Sequence, residues 1–351
     1  MQPKVSAGQL TKDSALLIAP FFLWGTAMVA MKGVIPHTTP LFMAGVRLVP
    51  AGVLILVVAA LMGRPQPQGW KAWLCISIFG LVDGALFQGF LAEGLVRTGA
   101  GLGSVMIDSQ PLAVALLSRW LFGEVIGLWG WLGLALGVIG ISFIGLPDQL
   151  ILGIFSNSVS VPQSQFFSLQ SLFESGEWLM LLAALSMAVG TVIIRFVCRY
   201  ADPVTSTGWH MILGGLPLWG ISTTVESQQW VNLVPHDWAS LAYATIFGSA
   251  IAYALFFYFA SSGSLTSLSS LTFLTPVFAL LFGNLLLQEV LTTVQWCGVG
   301  LTLVSIYLIN QRDSIAGSKG KTTAGEITES KKQKITPISM PVRKPEPKVL
   351  P

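Results

Sequence analysis

The sequence predicts an all-α integral membrane fold: ten transmembrane helices arranged as two inverted five-helix repeats. Three observations predict it. First, hydrophobic residues make up 53% of the 351 and charged residues only 10%, against about 25% charged in soluble domains. A soluble fold needs more charge than this to cover its surface, whereas a bilayer accepts an apolar one. Second, the chain divides into ten apolar runs, most of them near the ~20 residues that cross a hydrocarbon core. Third, residues of the second half repeat those of the first at a constant offset of 165 positions.

The runs follow in order. The first spans Ala15 to Val34, the second Leu41 to Met62 and the third Trp73 to Leu95. The fourth spans Gly101 to Phe122 and the fifth Leu128 to Leu146. A polar loop at 147–176, rich in Ser and Gln and free of Lys and Arg, separates the halves. The sixth runs from Trp178 to Val197, the seventh from Val204 to Thr223 and the eighth from Trp238 to Ala260. The ninth runs from Leu265 to Leu287 and the tenth from Val294 to Ile309. Pro36, Pro40, Pro65, Pro67, Pro147, Pro203 and Pro235 fall between runs, where a missing N–H does no harm. Pro50, Pro111, Pro217 and Pro276 fall inside runs and are expected to kink them. Trp70, Trp73, Trp178, Trp230 and Trp238 mark run ends, as interfacial anchors do. Lys4 and Lys12 before an apolar run superficially suggest a signal peptide, but that run is long and has a second-half counterpart.

Charge placement orients the chain. Nine of the nineteen Lys and Arg follow Gln311, and with four acids there this segment carries +5 against +3 for the whole chain. Residues 311–351 read as a disordered basic tail, since they are polar, basic and contain five prolines. With residues 1–14 placed in the cytoplasm, Lys and Arg concentrate on the cytoplasmic side, and only Arg97 lies in a loop opposite. Both termini are then cytoplasmic and 147–176 is extracytoplasmic. The folded part has no basic face, which excludes a nucleic-acid partner. Cys75, Cys198 and Cys297 show no ligand spacing, so neither a metal nor a cofactor is expected.

The repeat places Gly25-Thr26 on Gly190-Thr191, Pro111 on Pro276, Glu124 on Glu289 and Gly133 on Gly298. Residues 15–146 and 177–310 are therefore the two units. Five spans per unit leave each one ending on the side opposite to its start, so the second is inverted. Inverted repeats recur in secondary transporters, where exchange between the halves opens a central site to alternate sides.

Particular residues carry a resemblance. Trp24-Gly25-Thr26 and Lys32 lie in the first run and Arg47 in the second. A Pro…Glu helix occurs twice, as Ser109-Gln110-Pro111-Leu112 to Gly123-Glu124 and as Thr275-Pro276-Val277-Phe278 to Gln288-Glu289. On these residues, over about 15–310, the chain resembles the drug/metabolite transporter (DMT) superfamily, specifically the EamA-type permeases. The resemblance implies ten helices, paired five-helix repeats and export of metabolites, amino acids or drugs. The sequence departs from the family's usual look in its acidic third and fourth runs, with Asp83, Glu93 and Asp108, and in its long central loop.

A charge at a helix centre costs roughly 2.5–3.5 kcal/mol on insertion scales. Lys32, Arg47, Glu93 and Asp108 share the outer half of the first repeat, and are expected to form a paired cluster along the cavity or its outer gate, the alternative being a structural ion-pair network without substrate contact. Asp83 has no cation at its depth and is a candidate proton site, the alternative being a hydrogen-bonded neutral acid. His210, the ionisable group deep in the second half, is either a titrating or a packed neutral imidazole. Trp24, Thr26, Tyr253 and Tyr258 are candidates for the cavity wall, and Pro111, Glu124, Pro276 and Glu289 for structure or gating. The expected function is secondary transport of small organic molecules by alternating access, with export the favoured direction and proton coupling an open option. Uptake or exchange of sugars or other metabolites, and a non-transporting membrane protein, are the alternatives. No catalytic constellation appears, so an enzyme is not expected. The expected partners are a small-molecule substrate and the lipid bilayer, and monomer and homodimer stay open.

Overall fold

Apolar runs punctuated by Pro, Gly and polar caps fold into helices throughout. The computed structural model describes residues 7–97, 106–146, 151, 176–287 and 292–309. Within them lie ten helices, a separate short 3-10 helix (Ile35–His37) and no strand. The first half contributes α1 (Ala7–Lys32), α2 (Pro40–Leu61), α3 (Gly69–Arg97), α4 (Gln110–Phe122) and α5 (Leu128–Gly145). The second contributes α6 (Gly176–Val197), α7 (Pro203–Val225), α8 (Pro235–Ala260), α9 and α10 (Thr293–Ile309). Helix α9 is Leu265–Ser270 and Leu274–Leu287, joined by the 3-10 turn Leu271–Phe273. Six described helices, α2, α3, α5, α6, α8 and α9, are long and apolar enough to cross a membrane, and Ala15–Met31 and Thr293–Ile309 are shorter apolar helices. The protein is a multi-pass membrane protein. Its outward surface is accordingly apolar, with Val57, Val58, Leu61, Leu81, Leu132 and Leu285 exposed.

Prolines act at helix starts as well as in interiors. Pro20, Pro50 and Pro217 lie within α1, α2 and α7. Pro111, expected to kink a long fourth helix, instead stands in the first turn of α4, where its missing N–H has no intrahelical partner to lose. Pro276 follows the 3-10 turn of α9. Glu289, the 147–150 and 152–175 parts of the central loop, and the tail beyond 309 lie outside the described residues, as does the side chain of Lys32.

Contacts recur at matching positions of the two halves. A Cβ on Gly133 of α5 would meet the Ser305 carbonyl oxygen of α10 at 3.0 Å. The residues at the matching offset, Gly298 and Gly140, repeat this, with a Cβ on Gly298 2.7 Å from the Gly140 carbonyl oxygen. Small residues here let the backbones of α5 and α10 touch, the usual device of helices that pack inside a bilayer. Helices α2 and α7 form the most extensive pair. Their ends are tied by polar caps. Glu226, after α7, accepts hydrogen bonds from the Leu41 and Phe42 amides at 2.9 and 3.0 Å and from Thr39 at 2.8 Å, which satisfies the open N-terminus of α2. At the other end Asp202 caps α7 through the Val204 and Thr205 amides and meets Arg64 at 3.1 Å.

Each half also carries one π-helical stretch, Gly80–Leu86 in α3 and Ala244–Ile251 in α8, at nearly matching positions. A π turn inserts a residue into the helical ladder and re-aims the side chains around it, often at functional sites.

Candidate functional site

The interior between the repeats holds three small sets of hydrogen-bonded polar side chains in apolar surroundings, Arg47–Gln88–Tyr253, Asp83–His210 and Gln110–Thr191. Its centre is a hydrogen bond between Gln88 of α3 and Tyr253 of α8, with Nε2 of Gln88 donating to the Tyr253 hydroxyl at 2.6 Å. These residues are 165 positions apart, so each occupies in its own repeat the place of the other. A contact between equivalent positions lies on the axis that exchanges the halves. Gln88 is 2% exposed and Tyr253 6%.

From this bond the first set extends to α2. Arg47 of α2 donates through Nη2 to the Gln88 side-chain oxygen at 3.1 Å and through Nη1 to the Met31 sulfur at 2.8 Å. The Trp24 ring of α1 packs edge-on to Tyr253 at 5.2 Å between centroids. Nε1 of Trp24 and Nε of Arg47 are buried without an acceptor.

Toward α7, the π stretch of α3 delivers Asp83 to His210. The two side chains are fully buried, with Nε2 of His210 3.2 Å from Oδ2 of Asp83. His210 Nδ1 lies 2.6 Å from the Thr207 carbonyl oxygen, and Phe79 stacks on the imidazole at 4.0 Å. The other carboxylate oxygen, Oδ1, has no partner and faces Gly190 of α6, where a Cβ would stand 2.3 Å from it. Gly190 is therefore the gap that admits the carboxylate. Next to it, Thr191 accepts a hydrogen bond from Gln110 of α4 at 3.2 Å.

Of the predicted outer cluster, the described Arg47, Glu93 and Asp108 form no hydrogen bond or ion pair with one another, and the Lys32 side chain lies outside the described residues. Glu93 pairs with Arg97 one turn along α3, at 2.7 Å. It lines a lateral groove of about 390 Å³ with Leu81, Phe90, Leu179 and Leu218. The reason is helical phase: Gln88 and Glu93 are five residues apart on a helix of 3.6 per turn, so they point in widely different directions. Tyr258 stands in the same relation to Tyr253 on α8, and is 43% exposed. Asp108, before α4, is 9% exposed and makes no hydrogen bond to any of these sets. Thr26 bonds the Phe22 and Leu23 carbonyls of its own helix and accepts from the Tyr243 hydroxyl at 2.9 Å, apart from Trp24. Glu124 accepts from Ser264 and Thr266 at 2.6 Å each and so holds the start of α9.

In the sequence Asp83 has no cation at its depth and His210 stands in another repeat; the fold brings the two together. Gln88 has no place in the sequence reading, and Gln110 and Thr191 enter it only as motif and repeat positions, not as site candidates. A usable signal existed for Gln88, since the offset sets it against Tyr253, a polar residue in an equally apolar run.

Among known proteins, the model of the EamA-like transporter family matches residues 13–146 and 174–311, one copy per half. An uncharacterized transporter of Synechocystis is 61% identical over 316 residues, covering 90% of this chain and 94% of that protein. A chloroplastic WAT1-related protein of Arabidopsis thaliana is 52% identical over 299 residues, covering 84% of this chain and 68% of that one. A crystal structure shares the fold with a TM-score of 0.67 at 16% identity, covering 85% of this chain and 96% of the other. With two copies of the family pattern, an all-helical apolar architecture and these relatives, the chain belongs to the EamA-like transporter family.

Proposed function

We propose that the protein is a secondary active transporter that moves small organic metabolites, amino acids or drugs by alternating access, with export the favoured direction. Ten helices cross the bilayer, five per repeat, with the second repeat inverted. Both termini face the cytoplasm, and the membrane is the cell (plasma/inner) membrane. The Gln88–Tyr253 bond carries this proposal, because it ties equivalent positions of the two repeats at the centre of the molecule. A site on the exchange axis is the one place that stays central when the halves swap conformations. Arg47, Trp24, Asp83 and Gln110 supply further polar groups around it, and their unpartnered atoms are the kind that a solute's polar groups satisfy. The resting polar contacts at both ends of the α2/α7 pair serve as the closures that must open in turn.

The test is uptake and efflux in proteoliposomes with a panel of amino acids, organic acids, sugars and amphipathic drugs. Transport of at least one class is expected, with Arg47→Ala reducing it while leaving membrane insertion intact. Full transport by that variant would remove Arg47 from the site, and no movement of any solute would overturn the transporter assignment. Uptake or exchange stands as the second reading, since alternating access is reversible and gradients set its direction.

A further inference from the structure

Two buried ionisable groups flank Tyr253, Arg47 through Gln88 and Asp83 through His210 and the Phe257 ring, and neither meets an opposite charge of the ordinary kind. Arg47 of α2 touches Met31 and Gln88 but no carboxylate among the described residues. Asp83 of α3 touches His210 of α7. The roles in the second pair follow from hydrogen-bond chemistry. The Thr207 carbonyl is an acceptor only, so the imidazole Nδ1 beside it carries a hydrogen. Nε2 and Oδ2 are 3.2 Å apart, and a hydrogen bond between them needs one proton. That proton makes the pair neutral in total, as carboxylic acid with imidazole or as carboxylate with imidazolium. Without it, two lone pairs face each other and the pair carries −1.

Among the described residues, the other groups in contact with the pair bring no further charge: Gly190 of α6 faces Asp83, and Phe79 of α3 and Phe257 of α8 pack on His210. Tyr253, whose ring lies 5.9 Å from that of Phe257, is the titratable group beyond them. Arg47 is hydrogen-bonded to Gln88, and Gln88 to Tyr253, so Phe257 stands between that chain and His210. Asp108 makes no hydrogen bond to any of them. Two buried donors without acceptors flank the Gln88–Tyr253 bond: the Nε–H of Arg47, which bonds Gln88, and the Nε1–H of Trp24, whose ring packs on Tyr253.

Building on the transporter reading, we propose that this centre binds a proton at Asp83–His210 and the carboxylate of an organic monoanion at Arg47, and that the two are carried together, so that export runs down the anion's own gradient and an inward proton gradient drives the reverse, uptake direction. The reason is charge balance in an apolar, closed interior. With the proton on the pair, Arg47 is left uncompensated, and a bound monoanion cancels it. With the proton gone, the Asp83 carboxylate cancels Arg47 and the site closes empty. Anion without proton, or proton without anion, buries a net charge and is heavily penalised. On opening to water, the pair gives its proton to solvent as the anion leaves Arg47. Asp83 and His210 belong to different repeats, so the proton also adjusts the contact between the halves that move.

Benzoate is the first probe, added to purified protein in lightly buffered detergent solution, with related monocarboxylates and their uncharged amides alongside. Binding is read by saturable thermal stabilisation and proton uptake by a pH dye. The expected result is binding of monocarboxylates but not amides, with one proton taken up for each anion bound. Arg47→Gln abolishes binding. Asp83→Asn keeps the hydrogen bond to His210 and holds the pair neutral, so it binds the anion with no proton uptake. In proteoliposomes this variant exchanges anion for anion but loses net flux at least tenfold. Binding by the wild type without proton uptake, or an Asp83→Asn variant that behaves as wild type, overturns the proposal. Failure of every monocarboxylate to bind also overturns it. The transporter assignment would survive either failure if the wider solute panel shows flux, and would fall separately if it shows none.

Discussion

The π stretches of α3 and α8 are the same backbone device put to different chemical use. Both interrupt a long apolar helix at nearly matching places in the two repeats. In α3 the stretch leans on α7 through glycine: a Cβ on Gly84 would lie 2.7 Å from Gly214 Cα and 2.9 Å from the His210 carbonyl oxygen. The extra residue turns Asp83 toward His210 and into the gap at Gly190. In α8 the stretch leans on α1, and the position matching Asp83 is Gly248, whose Cβ would stand 2.5 Å from that of Ala27. One repeat thus supplies a buried carboxylate and the other only close packing. Duplication preserved the geometry of the bend, while the ionisable chemistry sits on one side of the axis.

If that contrast is correct, Asp83→Ala is the most damaging change in either stretch. It leaves His210 buried without its partner, and breaking a buried pair costs about 3–5 kcal/mol. Gly248→Ala in the other stretch only overfills a packed contact, at about 1–3 kcal/mol. Thermal unfolding in detergent measures both, and equal losses would break the comparison. Gly190→Ala comes next. Its methyl group takes the space of Asp83 Oδ1, so a cost of about 1–3 kcal/mol is expected. That cost should shrink in an Asp83→Ala background, and strict additivity in the double mutant would show that the gap does not serve the carboxylate.

The two ends of the α2/α7 pair extend the comparison at smaller amplitude. Glu226→Gln weakens the charge-assisted cap on α2 and is expected to cost about 1 kcal/mol. Arg64→Ala removes a partly exposed ion pair with Asp202, worth about 0.2–1 kcal/mol. The same unfolding assay ranks them, and a larger loss at Arg64 would reverse the order of the two closures.

Membership of the two halves in one repeat was legible because bilayer burial writes itself into composition. Runs of about twenty apolar residues have few other uses, and Gly25, Pro111, Gly133 and their counterparts keep one register. The individual polar residues were legible as anomalies, because a charge in an apolar run is costly wherever it points. Direction was the missing quantity. Arg47, Asp83, His210 and Tyr253 entered the centre, while Glu93 and Tyr258, equally conspicuous in the sequence, turned away by helical phase. Neutral Gln88 gives no signal as a site residue, and Gln110 only as a motif position, since an amide in an apolar run looks ordinary until its partner is known.

The sequence by itself determined that the chain is a two-unit helical membrane protein of related halves, because hydropathy and repetition are properties of the chain order. Only the tertiary structure decided which polar groups meet. Asp83 finds His210 across 127 positions and Gln88 finds Tyr253 across 165. Such meetings depend on helix rotation, on the two π stretches and on glycine gaps a single atom wide, and none of these is fixed by the local order of residues.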